Sequence, residues 1–185
     1  MAVIREGSKV VVLVVDVQVG VMRNNWESPR IIGNIARVVE KARIQGVPVI
    51  WVQHADDELV YGSPDWQIVP ELVPAEGETR IYKGYNSAFA DTPLDELLAE
   101  LGTTHVVLTG AATNWCIRAT AYGALERGYD LTLVKDAHTT GSMEYPDGFK
   151  IEAEAIVREF NSGMTWLSYP GRVNTVLPAD EVVFA

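Results

Sequence analysis

The only cysteine of the 185-residue chain, Cys116, lies where a predicted strand gives way to a predicted helix. The β-branched run 105–109 predicts a buried strand, and 116–127 has the apolar spacing of a helix that Thr113 or Asn114 can cap. The first turn of a helix offers free N–H groups and the positive end of the helix dipole, which stabilise a thiolate. Cys116 is therefore a candidate nucleophile, and a buried, unreactive cysteine is the alternative.

Two charged residues also follow predicted strands. Asp16 comes directly after the Val/Leu run 9–15, and Lys83 ends the short strand 80–83. In parallel sheets the carboxyl ends of the strands meet at one crevice, so we expect Asp16, Lys83 and Cys116 to converge. Asp16 would act as base toward the thiol and later toward water, while Lys83 would stabilise the thiolate and keep Asp16 ionised. Taken singly, Asp16 could be a strand cap or cation ligand, and Lys83 a solvated edge residue.

The elements that must position these residues alternate between strand and helix along the chain. The remaining predicted strands are 47–54 and 129–134, and the predicted helices include 28–46, 93–101 and 149–160. This order predicts an α/β fold with three α-β-α layers around a mostly parallel, doubly wound sheet. With 48% hydrophobic residues, the length suits one domain over residues 1–185. The tail 164–185 is expected to add an edge strand near Thr165–Leu167.

Composition narrows the possible partners and compartment. The formal net charge of −10 argues against nucleic acid as a partner. No apolar run reaches membrane-spanning length, and the N-terminus lacks the pattern of a signal peptide. A single cysteine cannot form an internal disulfide, which fits the reducing cytoplasm, so we expect a cytoplasmic protein. Because no membrane-spanning run is present, we also expect no membrane partner.

Candidate substrate contacts lie in loops near the strand ends. Gln18 and Asn86 could orient an amide. Aromatic rings could sandwich a flat or apolar substrate: Trp115 is beside the nucleophile, and Trp26, Trp66 and Tyr85 lie in loops near strand ends. Core or interface packing of these rings is the alternative. The long acidic loop 55–79 has the length of a lid or binding loop.

Three further polar residues have open roles. Arg118 could bind a carboxylate or pair with an acid at an interface. His54 and His138 are expected to be structural or to support the site rather than to catalyse. The backbone N–H groups of Ala112 and Cys116 can form an oxyanion hole, because the turn that carries them ends at a helix N-terminus.

Several segments in this order resemble the isochorismatase-like cysteine hydrolase family, which includes nicotinamidases, N-carbamoylsarcosine amidohydrolases and streptothricin hydrolases. The segments are Val14–Gln18, Lys83–Phe89, Gly110–Cys116, Arg118–Ala121, Gly128-Tyr129 and Asp136-Ala137. They cover about residues 9 to 140, and their order makes the resemblance specific.

The resemblance carries several implications for this sequence. The family's Asp-Lys-Cys triad falls on Asp16, Lys83 and Cys116. A cis peptide would fall between Ala111 and Ala112 and would aim the Ala112 N–H into the oxyanion hole. A homo-oligomer, dimer or tetramer, is also implied.

Two features of the sequence narrow the activity. Nicotinamidases follow the second strand with an Asp-x-His arrangement and further histidines that bind a metal, whereas here His54 has no second histidine before His105. A divalent metal takes three or four protein ligands, so we predict no metal site and doubt nicotinamidase activity. Family members that cleave the vinyl ether of isochorismate often lack the cysteine, so Cys116 favours acyl chemistry at a C–N bond.

We therefore expect a hydrolase that cleaves an amide, lactam or carbamoyl bond of a small molecule through a thioester on Cys116, without a cofactor. One alternative is an isochorismatase-type vinyl-ether hydrolase in which Asp16 donates a proton. Another is a non-catalytic binding domain on the same scaffold. A nucleotide-binding flavodoxin-like domain is disfavoured because no glycine-rich phosphate loop follows the first strand. The sequence does not identify the substrate.

Overall fold

The computed structural model describes Arg5 and residues 7–184. The elements are β1 (Lys9–Val15), α1 (Val19–Met22), α2 (Ser28–Ile44), β2 (Val49–His54), β3 (Thr79–Lys83), α3 (Leu94–Glu100), β4 (Thr103–Ala111), a π-helical turn (Thr113–Ile117), α4 (Arg118–Glu126), β5 (Asp130–Thr139), β6 (Met143–Glu144), β7 (Lys150–Ile151), α5 (Ala153–Trp166) and β8 (Asn174–Leu177). Residues 1–4, 6 and 185 lie outside the described part. The prediction that the N-terminus has no signal peptide falls partly on these residues. The single domain over 1–185 stays a prediction.

Six strands form one sheet in the order β3-β2-β1-β4-β5-β8, and every neighbouring pair in it is parallel. Strand β1 lies near the middle, with Val15 level with Val52 of β2 and Gly110 of β4. The short strands β6 and β7 form a separate antiparallel hairpin. The predicted α/β class with a parallel, doubly wound sheet is confirmed.

The sheet is covered on both faces. Along β1 the side chains of Val11, Leu13 and Val15 belong to the core beneath α3, α4 and α5. Those of Val12 and Val14 belong to the core beneath α2 and the C-terminal segment. A strand buried on both faces needs a continuous apolar run, which explains the unbroken Val/Leu sequence of β1. Within the described residues no helix has the length and apolarity needed to cross a membrane.

The sheet edge near the C-terminus differs from the sequence-based prediction. Thr165–Leu167 was expected to be a strand, but Thr165 and Trp166 form the last turn of α5 and Leu167 caps it. The edge strand is β8, which pairs with β5 through Leu131 and Asn174. Helical packing extends past Phe160 because Met164, one turn later, is fully buried against the same core.

The long acidic segment between β2 and β3 contains no helix or strand and is largely exposed, but Trp66, Val69 and Leu72 are buried. Its residue Ile68 forms an isolated antiparallel bridge with Gln18. Trp66 is buried with its ring centroid 4.5 Å from that of Tyr61 and 5.3 Å from that of Tyr82. The ring of Trp66 therefore anchors this segment to β3, and the sequence-based suggestion that it lines the substrate pocket is not supported.

Candidate active site

The ends of β1, β2 and β3 lie side by side and carry three of the polar groups at the site. Asp16 follows β1 with a positive φ of 53°, and its N–H donates to the Val52 carbonyl at 2.8 Å. Lys83 ends β3 in register with His54, which ends β2. The three side chains therefore project from one edge of the sheet, as the crossover topology requires.

Strand β4 brings the cysteine turn against β1 through a close backbone approach. Gly110 has a φ of +124°, and a Cβ at this position would lie 1.9 Å from the Val15 carbonyl oxygen. Only glycine fits both the backbone conformation and the contact. The peptide bond between Ala111 and Ala112 that follows is cis, as the family resemblance implied.

The helical segment after this bond begins earlier than the sequence predicted. It starts with the π-helical turn at Thr113, so Cys116 is its fourth residue rather than its first. The Ala112 carbonyl accepts hydrogen bonds from the N–H groups of Trp115 and Ile117, on either side of Cys116. The N–H of Cys116 is not one of its partners, and the role of this N–H in an oxyanion hole stays a prediction.

The predicted capping roles of Thr113 and Asn114 are wrong. The Thr113 hydroxyl lies 2.8 Å from Nδ1 of His138, and the Asn114 side-chain oxygen accepts from the Thr140 hydroxyl at 2.7 Å. The cap residue itself, Ala112, has no polar side chain. Both side chains thus tie the turn to β5 and the residue that follows it.

The expected meeting of Asp16, Lys83 and Cys116 is present. Lys83 Nζ lies 2.7 Å from Asp16 Oδ2 and 3.3 Å from Cys116 Sγ. All three residues are buried, and even Cys116 is only 9% exposed. Lys83 donates to Oδ2 of Asp16, whereas the buried Oδ1 has no hydrogen-bond partner within the described part of the chain. Their catalytic roles stay a prediction.

The surroundings of Cys116 favour its thiol form, which is the form from which Asp16 was expected to take a proton. Burial, reinforced by the nearby Asp16 charge, raises the pKa of Cys116 to about 12, and the Lys83 ammonium only partly opposes this. Burial also raises the pKa of Asp16 above its usual value, although Lys83 acts in the opposite direction. A carboxylate made more basic by burial is a better acceptor for a proton held by so weak an acid.

The other predicted contact residues fall in different surroundings. Asn86 Oδ1 lies 3.9 Å from the sulfur, and the Trp115 side chain beside it is 53% exposed. Trp26 is half-buried next to Arg30 and lines a cavity with Asn24, Ser142, Glu152, Ala153 and Glu154. No hydrogen bond or ring contact joins Trp26 to Asp16, Lys83 or Cys116 within the described residues.

Gln18 is not free to bind substrate. Its side chain is fully buried, and Nε2 donates to the carbonyl oxygens of His54 and Trp66, both at 2.9 Å. Its Oε1 accepts the His54 N–H at 2.8 Å. The amide is therefore fully used in fixing the end of β2 and the loop over it, and the prediction that it orients substrate is not supported.

The open alternatives for Arg118 and the histidines are narrowed by the structure. Arg118 pairs with Glu159 of α5 and lies over the Phe160 ring. His138 is fully buried behind the cysteine turn. His54, in contrast, contacts Lys83 directly: its Nδ1 lies 3.3 Å from Nζ. The position of His54 at the end of β2, next to β3, is the sequence signal for this contact.

A cavity of about 300 Å³ opens on the outer side of His54. Its other lining residues are Gly20, Val21, Asp56, Glu58, Leu59 and Asp65. Among the residues that the structure describes, no three His, Cys, Asp or Glu side chains group closely enough to hold a metal ion. The absence of a metal cofactor stays a prediction.

Comparison with known proteins places these features in one family. The family model for the isochorismatase domain matches residues 10–158. A streptothricin hydrolase from Streptomyces noursei is 32% identical over 135 residues, which are 69% of this chain and 53% of that protein. The chain thus spans about half the length of this relative.

Two solved structures share the whole fold. An isochorismatase from Pseudomonas putida KT2440 superposes with a TM-score of 0.84 at 28% identity, covering 96% of this chain and 93% of the other. An N-carbamoylsarcosine amidase from Thermoplasma acidophilum superposes with a TM-score of 0.72 at 25% identity, covering 95% and 99%. By its family match, its fold and the meeting of Asp16, Lys83 and Cys116, the chain belongs to the isochorismatase family.

Proposed function

We propose that the protein is a cysteine-dependent hydrolase that cleaves a C–N bond in a small amide, lactam or carbamoyl compound. The observation that carries this proposal is the buried Lys83 ammonium, which contacts both the Asp16 carboxylate at 2.7 Å and the Cys116 sulfur at 3.3 Å. A base, a cation and a thiol in contact are the parts that an activated sulfur nucleophile needs.

In the proposed first half-reaction, Cys116 Sγ bonds to the carbonyl carbon while its proton passes to Asp16 Oδ1. The negative charge that develops on the carbonyl oxygen is stabilised by the N–H groups of Ala112 and Cys116. When the tetrahedral intermediate collapses, the C–N bond breaks and Asp16 returns the proton to the leaving nitrogen. An acyl thioester on Cys116 remains.

In the second half-reaction, Asp16 takes a proton from water, whose oxygen attacks the thioester carbonyl carbon. The C–S bond breaks, the acid product leaves, and the proton held by Asp16 restores the Cys116 thiol. Lys83 remains an ammonium throughout and offsets the negative charge that moves between carboxylate and sulfur. Two relatives, a streptothricin hydrolase and an N-carbamoylsarcosine amidase, are named for reactions of this class, which supports the proposal.

A vinyl-ether hydrolase is the second candidate, and one observation favours it. Burial raises the pKa of Asp16, so its carboxyl group holds a proton at higher pH than an ordinary aspartate does. Such a group could protonate the carbon of a vinyl ether without any help from Cys116. The two candidates differ in whether the sulfur is required.

The experiment is a screen of small amides, ureas and lactams for released ammonia, amine or opened ring, with isochorismate as the vinyl-ether substrate. Cys116→Ala and Cys116→Ser are compared with the unaltered protein, and Arg158→Gln, on an exposed face of α5, serves as the control. We expect turnover of a C–N substrate that both cysteine variants lose. Full turnover of isochorismate by Cys116→Ala would instead establish the vinyl-ether reaction.

A further inference from the structure

Lys83 has more hydrogen-bond acceptors than protons. Its Nζ lies 2.7 Å from Asp16 Oδ2, 3.1 Å from the Tyr85 carbonyl oxygen, and 3.3 Å from both His54 Nδ1 and Cys116 Sγ. An ammonium group donates three hydrogen bonds, so four acceptors share three protons. If His54 Nδ1 accepts one of these protons, fewer protons of Nζ are left for the Asp16 carboxylate and the Cys116 sulfur. The state of Nδ1 therefore influences the direction of the Lys83 ammonium.

The tautomer of His54 follows from its other partner. His54 Nε2 lies 3.0 Å from Asp56 Oδ2, and Asp56 Oδ1 accepts the N–H groups of Glu58 at 2.9 Å and Leu59 at 2.7 Å. An ionised carboxylate only accepts hydrogen bonds, so the imidazole proton lies on Nε2 and the lone pair of Nδ1 faces Lys83. The backbone of His54 is held in turn by both ends of the Gln18 amide.

We propose that Asp56 and His54 form a positioning pair that orients the Lys83 ammonium toward Asp16 and Cys116 by keeping His54 Nδ1 an acceptor. The catalytic consequence rests on the proposed function, whereas the orientation of Lys83 does not. Neither residue needs to touch the substrate for this role. In many sites a carboxylate that accepts a hydrogen bond from one ring nitrogen of a histidine fixes which nitrogen is free to bind a third group.

Charges surround His54 on two sides. Lys83 and Asp16 face it from the interior, while Asp56, Glu58 and Asp65 line the cavity on its outer side. A proton on Nδ1 would point at the Lys83 ammonium and repel it. The contact between Nζ and Nδ1 therefore requires an Nδ1 that carries no proton.

Asp56→Asn tests the proposal because it reverses one hydrogen bond and keeps the others. The amide oxygen can still accept the backbone N–H groups of Glu58 and Leu59, so the NH₂ group would face His54 Nε2. The imidazole would then accept at Nε2 and carry its proton on Nδ1, pointing at Lys83. Asp57→Asn is the matched control, since it removes the same charge from the neighbouring exposed residue.

The first readout needs no substrate. Alkylation of Cys116 by iodoacetamide is measured as a function of pH for the full chain and its variants. We expect Asp56→Asn and His54→Ala to lower the rate near neutral pH by about 10- to 100-fold, the usual effect of removing an orienting partner. His54→Asn, whose side-chain oxygen can take the place of Nδ1, should restore most of the rate. In the His54→Asn background, Asp56→Asn should have little further effect.

The second readout is the tautomer itself. In ¹⁵N NMR spectra, His54 of the unaltered protein should show a protonated Nε2 and an unprotonated Nδ1, and Asp56→Asn should reverse this. Once a substrate is known, Asp56→Asn should lower kcat and leave KM nearly unchanged. Equal behaviour of Asp56→Asn and Asp57→Asn in alkylation, or an Nδ1–H tautomer in the unaltered protein, would overturn the proposal. If Asp56→Asn slows alkylation but the unaltered protein hydrolyses no C–N substrate, the positioning pair is supported and the proposed function is rejected.

Discussion

Mild acid is expected to destabilise the fold through His138. This residue is fully buried, with Nδ1 2.8 Å from the Thr113 hydroxyl and Nε2 2.9 Å from the Asn161 side-chain oxygen. Asn161 donates its own NH₂ to the Lys135 carbonyl, so its oxygen faces the imidazole and Nε2 carries the proton. The neutral imidazole therefore links the cysteine turn, through Thr113, to helix α5.

The size of the effect follows from the pKa of His138, which burial lowers from 6.5 to about 4. Because the pKa is lower in the folded state, the stabilisation is present above pH 6.5 and is lost as the pH falls. As the pH falls from 7.5 to 5.5, the unfolding equilibrium constant should increase about tenfold, which lowers the free energy of unfolding by roughly 1 kcal/mol. Asp16 opposes this trend, since its raised pKa favours the folded state in acid.

Chemical denaturation of the unaltered protein and of His138→Gln at these two pH values isolates the contribution. The difference between the two proteins cancels Asp16 and every other shared group, and pH 5.5 stays above the sequence pI of about 4.7. The unaltered protein should lose roughly 1 kcal/mol more than His138→Gln. With only three histidines in the chain, NMR can follow His138 directly. Equal losses for both proteins, or an imidazole that titrates near pH 6.5, would refute the reasoning.

Three other predictions follow from the site and the sheet. The acid limb of kcat/KM should have an apparent pKa above 3.8, because burial raises the pKa of Asp16; a limb at or below that value in a pH–rate profile would contradict this. Gly110→Ala should cost about 2 kcal/mol or more in denaturant unfolding because of the Val15 contact, whereas Gly46→Ala, with open space around it, should cost about 1 kcal/mol; similar losses would count against the close approach. Gln18→Ala should lower stability by about 1 to 3 kcal/mol by leaving backbone groups unpaired; an unchanged stability with a raised KM would restore its role in substrate binding.

The sequence predicted the sheet and the meeting of three distant residues because both depend on local patterns. The unbroken apolar run of β1 could only be a strand buried on both faces, and parallel crossovers place all strand ends at one edge. Asp16, Lys83 and Cys116 were recognisable from their positions at these ends and from the order of the surrounding motifs. No long-range contact had to be known.

The remaining errors concern properties that packing decides. The last turn of α5 reads as a possible strand in isolation, and Trp166 is 86% exposed, but burial of Met164 one turn from Phe160 continues the helix. The direction of the Gln18 amide depends on carbonyl groups of His54 and a distant loop. The raised pKa of Cys116 was missed for a similar reason, since its position in the sequence shows the helix N-terminus but not the burial of the sulfur.

The central claim is that a thioester forms on Cys116 with the proton passing to Asp16. Mass spectrometry of the intact protein and its peptides tests this claim most directly. The protein is mixed with an amide that it hydrolyses, or with an aldehyde analogue of that amide, and the reaction is quenched rapidly. We predict a mass increase equal to the acyl group or aldehyde on the peptide that contains Cys116, strongly reduced in Asp16→Asn and absent in Cys116→Ala. Turnover without any adduct on that peptide, or an adduct that persists in Cys116→Ala, would contradict the account.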